Sequence, residues 1–313
     1  MIDALGSGGK PAYHGRVDHA RRNANLMLLL AAAIWGFAFV AQRVGMRHLE
    51  PLTFNGIRFA LGAAVLVPLV LHRRRTRGGG WSPGLGRAGL VAGVLIFGGA
   101  TLQQWGLVYT TAGKAGFITG LYVVFTPLLG LLWGQRTTPG AWIGVVLAAA
   151  GLYLLSARGI ASIDPGDGLV LLSAVFWAGH VQWVGHAARR IDPLQLALVQ
   201  FLVCAGLSTA GAFAFETVEP AAIVAAAVPI VYAGALSVGV AYTLQVVAQR
   251  HARPAPAAVI LSLESVFAAV GGGLLLGEVL GLRGLAGCAL MLGGVLVAQL
   301  GPAAPAAQAP ERF

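Results

Sequence analysis

Residues 101–116 read TLQQWGLVYTTAGKAG, and residues 243–258 read TLQVVAQRHARPAPAA. The shared Thr-Leu-Gln returns after 142 residues (243 − 101), in a chain whose apolar runs hold few polar residues. The same offset relates Trp35 to Trp177, Glu50-Pro51-Leu52 to Asp192-Pro193-Leu194, Phe59 to Phe201, Leu121 to Leu263, and Val124-Phe125 to Val266-Phe267. One inserted residue then makes the offset 143, pairing Gly134 with Gly277, Gly144 with Gly287 and Gly151 with Gly294. A single identity between apolar segments arises by chance. A register held over about a hundred residues is the mark of an internal duplication.

The duplicated unit is a membrane unit. The 313-residue chain is 57% hydrophobic and only 10% charged, against about 25% charged in a soluble domain. Its apolar runs approach the roughly 20 residues that cross a hydrocarbon layer as a helix. The pattern predicts spans at 25–44, 52–72, 87–108, 112–134 and 139–157, then at 167–187, 193–215, 222–250, 255–277 and 283–301. The expected fold is therefore an all-α polytopic membrane protein with ten transmembrane helices. It divides into a flexible cytoplasmic tail (1–23), a first repeat (24–157), a second repeat (166–301) and a flexible proline- and alanine-rich tail (302–313). Five crossings leave the chain on the far side, so the second copy enters upside down. Inverted five-helix repeats suit secondary transporters, whose substrate site lies between the halves.

The formal charge of +10 does not point to nucleic acid, because the basic residues cluster between the spans, as in HRRRTR at 72–77. With the N-terminus inside, fifteen Lys and Arg fall on the cytoplasmic side and five (Arg43, Arg47, Lys114, Arg158, Arg283) outside, with Arg58 within a span. That bias predicts both termini in the cytoplasm of a bacterial cell, with the chain in its inner membrane. Cys204 and Cys288 lie in apolar spans and suggest neither a disulfide framework nor a metal site. No G-x-x-x-x-G-K-[ST] loop is present, which argues against an ATP-driven pump on this chain. No cofactor is implied.

The segments AAAIWGFAFVAQRVG, EPLTFNGIRFALGAAVL, TTAGKAGFITGLYVVFTPLLGLLWG and SLESVFAAVGGGLLLGE resemble the paired EamA domains of the drug/metabolite transporter superfamily, over about residues 25–300. The resemblance implies ten helices in inverted repeats and carriage of small metabolites, often amino acids or related compounds, outward. The first half departs from the family pattern, with Gly134-Gln135 where Gly-Glu is usual; Glu278 follows Gly277 in the second.

Polar and aromatic residues inside the spans are the candidate substrate contacts. Gln103 and Gln245 are repeat mates whose amides need partners or a wet cavity. Gln104 points about 100° away on the same helix and reads as structural. Lys114, among small residues at a helix start, adds to the positive dipole end and can seat an anion; at a helix end it can also snorkel to the interface. Glu264, a carboxylate inside a span, can hold a proton, meet a substrate ammonium, or pair with a basic residue such as Arg58. Trp35 and Trp177, with Phe39 and His180 on the same helix faces, and Tyr122, form an aromatic set for a moderately apolar metabolite; each of them alone also fits plain packing. Arg58, whose mate is Gln200, reads as structural. Pro127 and Pro229 mark bends.

The expected function is secondary-active or facilitative carriage, as an exporter, of amino acids or related anionic and zwitterionic metabolites by alternating access, with the proton as a candidate coupling ion. The expected partners are the small-molecule substrate and membrane lipid, and a homodimer is compatible. A drug or lipid-headgroup carrier would use the aromatic set alone. A membrane enzyme would need a cluster of Asp, His or Cys at one interface, and a sensor would carry a soluble domain.

Overall fold

The computed structural model describes residues 11–110, 112–156, 165–276 and 281–300, and all regular structure among them is helical. The first half comprises α1 (Pro11–Gly45), α2 (Pro51–Arg77), α3 (Leu85–Tyr109), α4 (Ala112–Gly120), α5 (Tyr122–Leu132) and α6 (Pro139–Ser156). The second comprises α7 (Pro165–Ala187), α8 (Pro193–Phe215), α9 (Pro220–Ala225), α10 (Ala227–Val231), a π-helix (Tyr232–Tyr242), α11 (Thr243–Gln249), α12 (Pro254–Leu261), α13 (Glu264–Leu276) and α14 (Leu282–Leu300). Among the described residues, seven helices begin on proline. Proline has no N–H, and the first turn of a helix has no internal acceptor for one, so the choice leaves fewer donors to satisfy near lipid.

Eight segments among the described residues are long and apolar enough to cross a membrane, and two shorter apolar helices, Pro139–Leu154 and Leu282–Ala298, accompany them. Large apolar side chains such as Leu132, Phe213, Phe215, Val228 and Leu282 are almost fully exposed. An apolar exterior of this kind is stable against lipid rather than water.

Three expected spans are not single helices. The fourth divides at Leu121 into α4 and α5, and the ninth divides at Ser262-Leu263 into α12 and α13. The two breaks are repeat mates and share their hydrogen bonding. Leu121 N donates to Ile118 O and Leu263 N to Ile260 O, both at 3.1 Å, so each helix tightens to a three-residue turn. The eighth span turns at Ala226 before α10, which contains Pro229, and widens into the π-helix. Helix α1 begins at Pro11, earlier than the apolar pattern, because its polar first turns continue the helix beyond the span that starts near His19. Residues 1–10 and 302–313, and Glu278, lie outside the described residues.

Repeat-related helices run antiparallel where they meet. Along α6 and α14, Gly144 faces the Gly294 carbonyl and Gly151 faces Gly287 and Met291. Each glycine thus packs against the other pair's mate. Between α2 and α8 the chain is latched at both ends. Glu216, just beyond α8, accepts from Leu52 N and Thr53 N at 2.7 Å and from Thr53 Oγ1 at 2.8 Å. It caps α2 in trans, since Glu50 makes no side-chain cap there. At the other end Arg73 pairs with Asp192 at 3.4 Å, and Asp192 caps its own helix through Leu194 N and Gln195 N.

The glycine seam has a direct test. A Cβ at Gly144 would lie 2.7 Å from the Gly294 carbonyl oxygen, whereas one at Gly293 would meet nothing within 4 Å. Gly144→Val is expected to destabilise the detergent-solubilised chain by about 1–3 kcal/mol, the range for overpacking. Gly293→Val is expected to melt like wild type in the same thermal unfolding measurement.

Candidate functional site

The helix breaks and the π-helix converge on one buried cavity. Its walls come from both halves: Trp35, Phe39 and Gln42 on α1; Arg58 on α2; Gln103 on α3; Thr119 and Tyr122 beside the first break; Trp177, His180 and Val181 on α7; Ser237 and Tyr242 on the π-helix; Gln245 on α11; and Leu261 and Glu264 beside the second break. Helical spacing explains the grouping, since 35, 39 and 42 share one face of α1 and 177, 180 and 181 one face of α7. Ten of these residues form five pairs at the 142 offset: 35/177, 39/181, 103/245, 119/261 and 122/264. Duplication therefore built both walls.

Tyr242 is the hub. Its ring centroid lies 4.6 Å from Trp35, 6.0 Å from Trp177 in a stacked arrangement, 6.1 Å from Phe59 and 6.2 Å from both His180 and Phe201. The π-helix that presents it is tied to α1 by two bonds: Trp35 Nε1 donates to the Ser237 carbonyl at 3.2 Å, and Tyr232 Oη to the Ile34 carbonyl at 3.0 Å. Trp177 fits because position 99 is glycine; a Cβ there would lie 2.9 Å from the indole.

The two glutamines differ in their partners. Gln103 Nε2 donates to Thr119 Oγ1 at 2.9 Å. The mate of Thr119 is Leu261, so Gln245 bonds along its own helix to Gln249 Oε1 at 3.0 Å, and Gln249 passes the chain on to the Val181 carbonyl at 2.8 Å. His180 Nε2 lies 3.1 Å from Gln200 Oε1. Several buried polar atoms on the cavity wall have no protein partner: Gln42 Oε1, Arg58 Nε, Tyr122 Oη, Trp177 Nε1, Gln245 Oε1 and Glu264 Oε1. Tyr122 and Glu264, the first residues of their half-helices, lie close enough to interact across the two breaks.

Of the nine residues singled out from the sequence, the structure brings eight to this cavity: Trp35, Phe39, Gln103, Tyr122, Trp177, His180, Gln245 and Glu264. Lys114 falls in α4, and its side chain lies outside the described residues. Glu264 lies inside the ninth span, as expected, and opens α13 within it, where the dipole of the half-helix favours a carboxylate. Arg58, read as structural from the sequence, is 2% exposed, faces the cavity, and lies over the rings of Phe54 and Phe59 at 5.5 and 5.0 Å. Gln104 is fully buried away from the cavity with both amide atoms unpartnered. Gln42, Thr119, Val181, Ser237, Tyr242 and Leu261 were not anticipated. The repeat register points to Val181 through Phe39, but Tyr242 has Ala100 as its mate and carried no such signal.

The description of the EamA-like transporter family matches residues 22–157 and again 164–299. The chain is similar to a protein of Archaeoglobus fulgidus named an uncharacterized transporter, with 32% identity over 281 residues, 90% of this chain and 87% of that one. It is also similar to the uncharacterized inner membrane transporter YedA of Escherichia coli, with 27% identity over 146 residues, 46% of this chain and 47% of YedA. A solved crystal structure shares the fold with a TM-score of 0.73 at 20% identity, over 88% of this chain and 96% of its own.

Removal of the hub ring is expected to loosen both walls. Tyr242→Ala should cost about 3–5 kcal/mol, the range for deleting a buried aromatic, and Tyr242→Phe less than about 1.5 kcal/mol, as for a volume-conserving change. Thermal unfolding of the purified chain reads both values; equal melting of wild type and Tyr242→Ala would contradict the hub role.

Proposed function

Because this chain belongs to the EamA-like transporter family, we propose that it carries small organic metabolites across the membrane by alternating access at the cavity between its halves. The cargo is an amino acid or a related zwitterionic or anionic compound, and the direction is outward. One observation carries this reading: five repeat-related pairs line a single cavity, several of whose buried polar atoms lack protein partners. Buried polar atoms without partners are costly, and a passing solute or water supplies what the protein leaves open.

Ten crossings in two inverted repeats underlie the mechanism. The antiparallel contacts of α6 with α14 and of α2 with α8 support that topology. With fifteen basic residues beside one face against five beside the other, both termini face the cytoplasm of a bacterial inner membrane. Two halves of like shape exchange an inward-open for an outward-open state at similar energy, which rocking about a central site requires.

Within the site, Trp35, Phe39, Tyr122 and Trp177 hold the apolar body of the cargo, and Gln103, Gln245 and His180 exchange hydrogen bonds with it. Glu264 receives a substrate ammonium or a coupling proton at the α13 N-terminus. Lys114, in the first turn of α4, is a second candidate for meeting an anionic group of the cargo. A carrier of hydrophobic cations would use the aromatic residues alone, and competition between amino acids and such cations separates the two cargo classes.

The decisive test is comparative metabolite profiling of cells and medium with the chain overexpressed. At least one amino acid or related compound is expected to shift its partition outward with expression. Trp35→Ala and Glu264→Gln should lower that shift at least tenfold at equal membrane abundance. An unchanged partition of every such compound would sink the proposal.

A further inference from the structure

Arg58 holds a charge that the protein leaves uncompensated. It is 2% exposed, and no carboxylate among the described residues pairs with it. Its Nε has no hydrogen-bond partner. The Phe54 and Phe59 faces at 5.5 and 5.0 Å give it cation–π contact, which attracts the guanidinium but accepts none of its N–H bonds. A guanidinium stays protonated even in a protein interior. A buried arginine in a membrane helix is therefore retained where it meets an anion or a wet cavity, and this one borders the cavity.

We propose that Arg58 is the seat of a carboxylate on the cargo, the specificity-determining cation of the site; this rests on the cavity being the transport site. The guanidinium fork matches the two oxygens of a carboxylate. The Phe59 ring beneath Arg58 lies 6.1 Å from the Tyr242 ring, which in turn stacks with Trp177 and contacts Trp35. A solute carrying a carboxylate at Arg58 thus lays its apolar body on these rings. The second repeat supplies no matching cation, since the mate of Arg58 is Gln200, engaged with His180. The site is built for one carboxylate in one orientation. A phosphate dianion would call for a second cation, and Arg58 is the only arginine on the described cavity wall.

The test uses the purified full chain in lipid nanodiscs and radiolabelled 3-phenylpropionate, with unlabelled 3-phenylpropan-1-ol as the uncharged counterpart. Wild type is expected to bind the acid saturably and to require at least tenfold more alcohol than acid for displacement. Arg58→Gln, which copies the residue at the repeat-related position, should weaken acid binding at least tenfold and remove the preference over the alcohol. Its melting temperature should stay at or above that of wild type, because an unpaired buried charge has been removed. Arg58→Lys, keeping charge but not the fork, should retain part of the preference. Acid binding by Arg58→Gln within twofold of wild type overturns the assignment, as does wild type that binds acid and alcohol equally or does not bind the acid; the last two need no variant to fold. Trp35→Ala separates this assignment from the transport-site reading. It should weaken acid and alcohol together, and if it leaves both unchanged the cavity is not the site, whatever Arg58 does.

Discussion

Backbone groups in a membrane must find their partners within the protein, and the two mid-span helix breaks show how this chain meets that constraint. At Leu121 and Leu263 the helices tighten to three-residue turns, so the interruption remains hydrogen-bonded. The breaks also support one another: Ser265 Oγ donates to the Gly116 carbonyl at 3.0 Å across the two halves. Glycine makes this approach feasible. A Cβ at Gly120 would lie 2.9 Å from Leu152 and 3.1 Å from Ser265, and one at Gly36 would lie 2.7 Å from the Glu264 carbonyl. Close backbone contact, rather than bulky packing, holds the broken helices against α1 and α6. What the breaks provide is helix termini at the cavity, with Tyr122 and Glu264 as the first residues of their half-helices.

Around this centre the remaining helices form stiff pairs. Helices α2 and α8 are fastened at both ends by charged groups, Glu216 with α2's first turn and Arg73 with Asp192. Neither fastening lies in the apolar middle, where ion pairs are expensive to desolvate. The middle is packed instead by apolar contact, with Phe59 and Phe201, themselves repeat mates, 6.4 Å apart. Helices α6 and α14 rely on glycine against carbonyl.

The fold was legible because duplication writes itself twice. Thr-Leu-Gln at 101 and 243, and Trp35 with Trp177, fixed the register, and the register carried the cavity pairs with it. The helix breaks were hidden. Gly120-Leu121 and Ser262-Leu263 contain no proline, and interruption there follows from close packing between distant segments rather than from local propensity. Tyr242 was hidden for a different reason, since its mate is Ala100 and an aromatic residue in an apolar span looks like packing. Arg58 was open because sequence alone shows a charge but not whether a partner reaches it. Only the packed structure shows it against two phenylalanine rings with no carboxylate beside it.

Symmetry and its loss divide the labour in this site. The pairs that kept the same residue, Trp35/Trp177 and Gln103/Gln245, put like side chains on both walls of the cavity. The positions that diverged carry the charges: arginine at 58 against glutamine at 200, and tyrosine at 122 against glutamate at 264. Each half thus contributes one ionisable group, a guanidinium or a carboxyl, at different repeat positions, so the cavity walls are pseudo-symmetric in shape and unlike in chemistry. A gene that duplicated and stayed identical would place two arginines or two glutamates in one buried cavity, where like charges repel strongly at low dielectric. Divergence at these positions removes that repulsion. It leaves a guanidinium and a carboxyl at different places on one cavity wall, an arrangement in which the two ends of a solute are distinguishable.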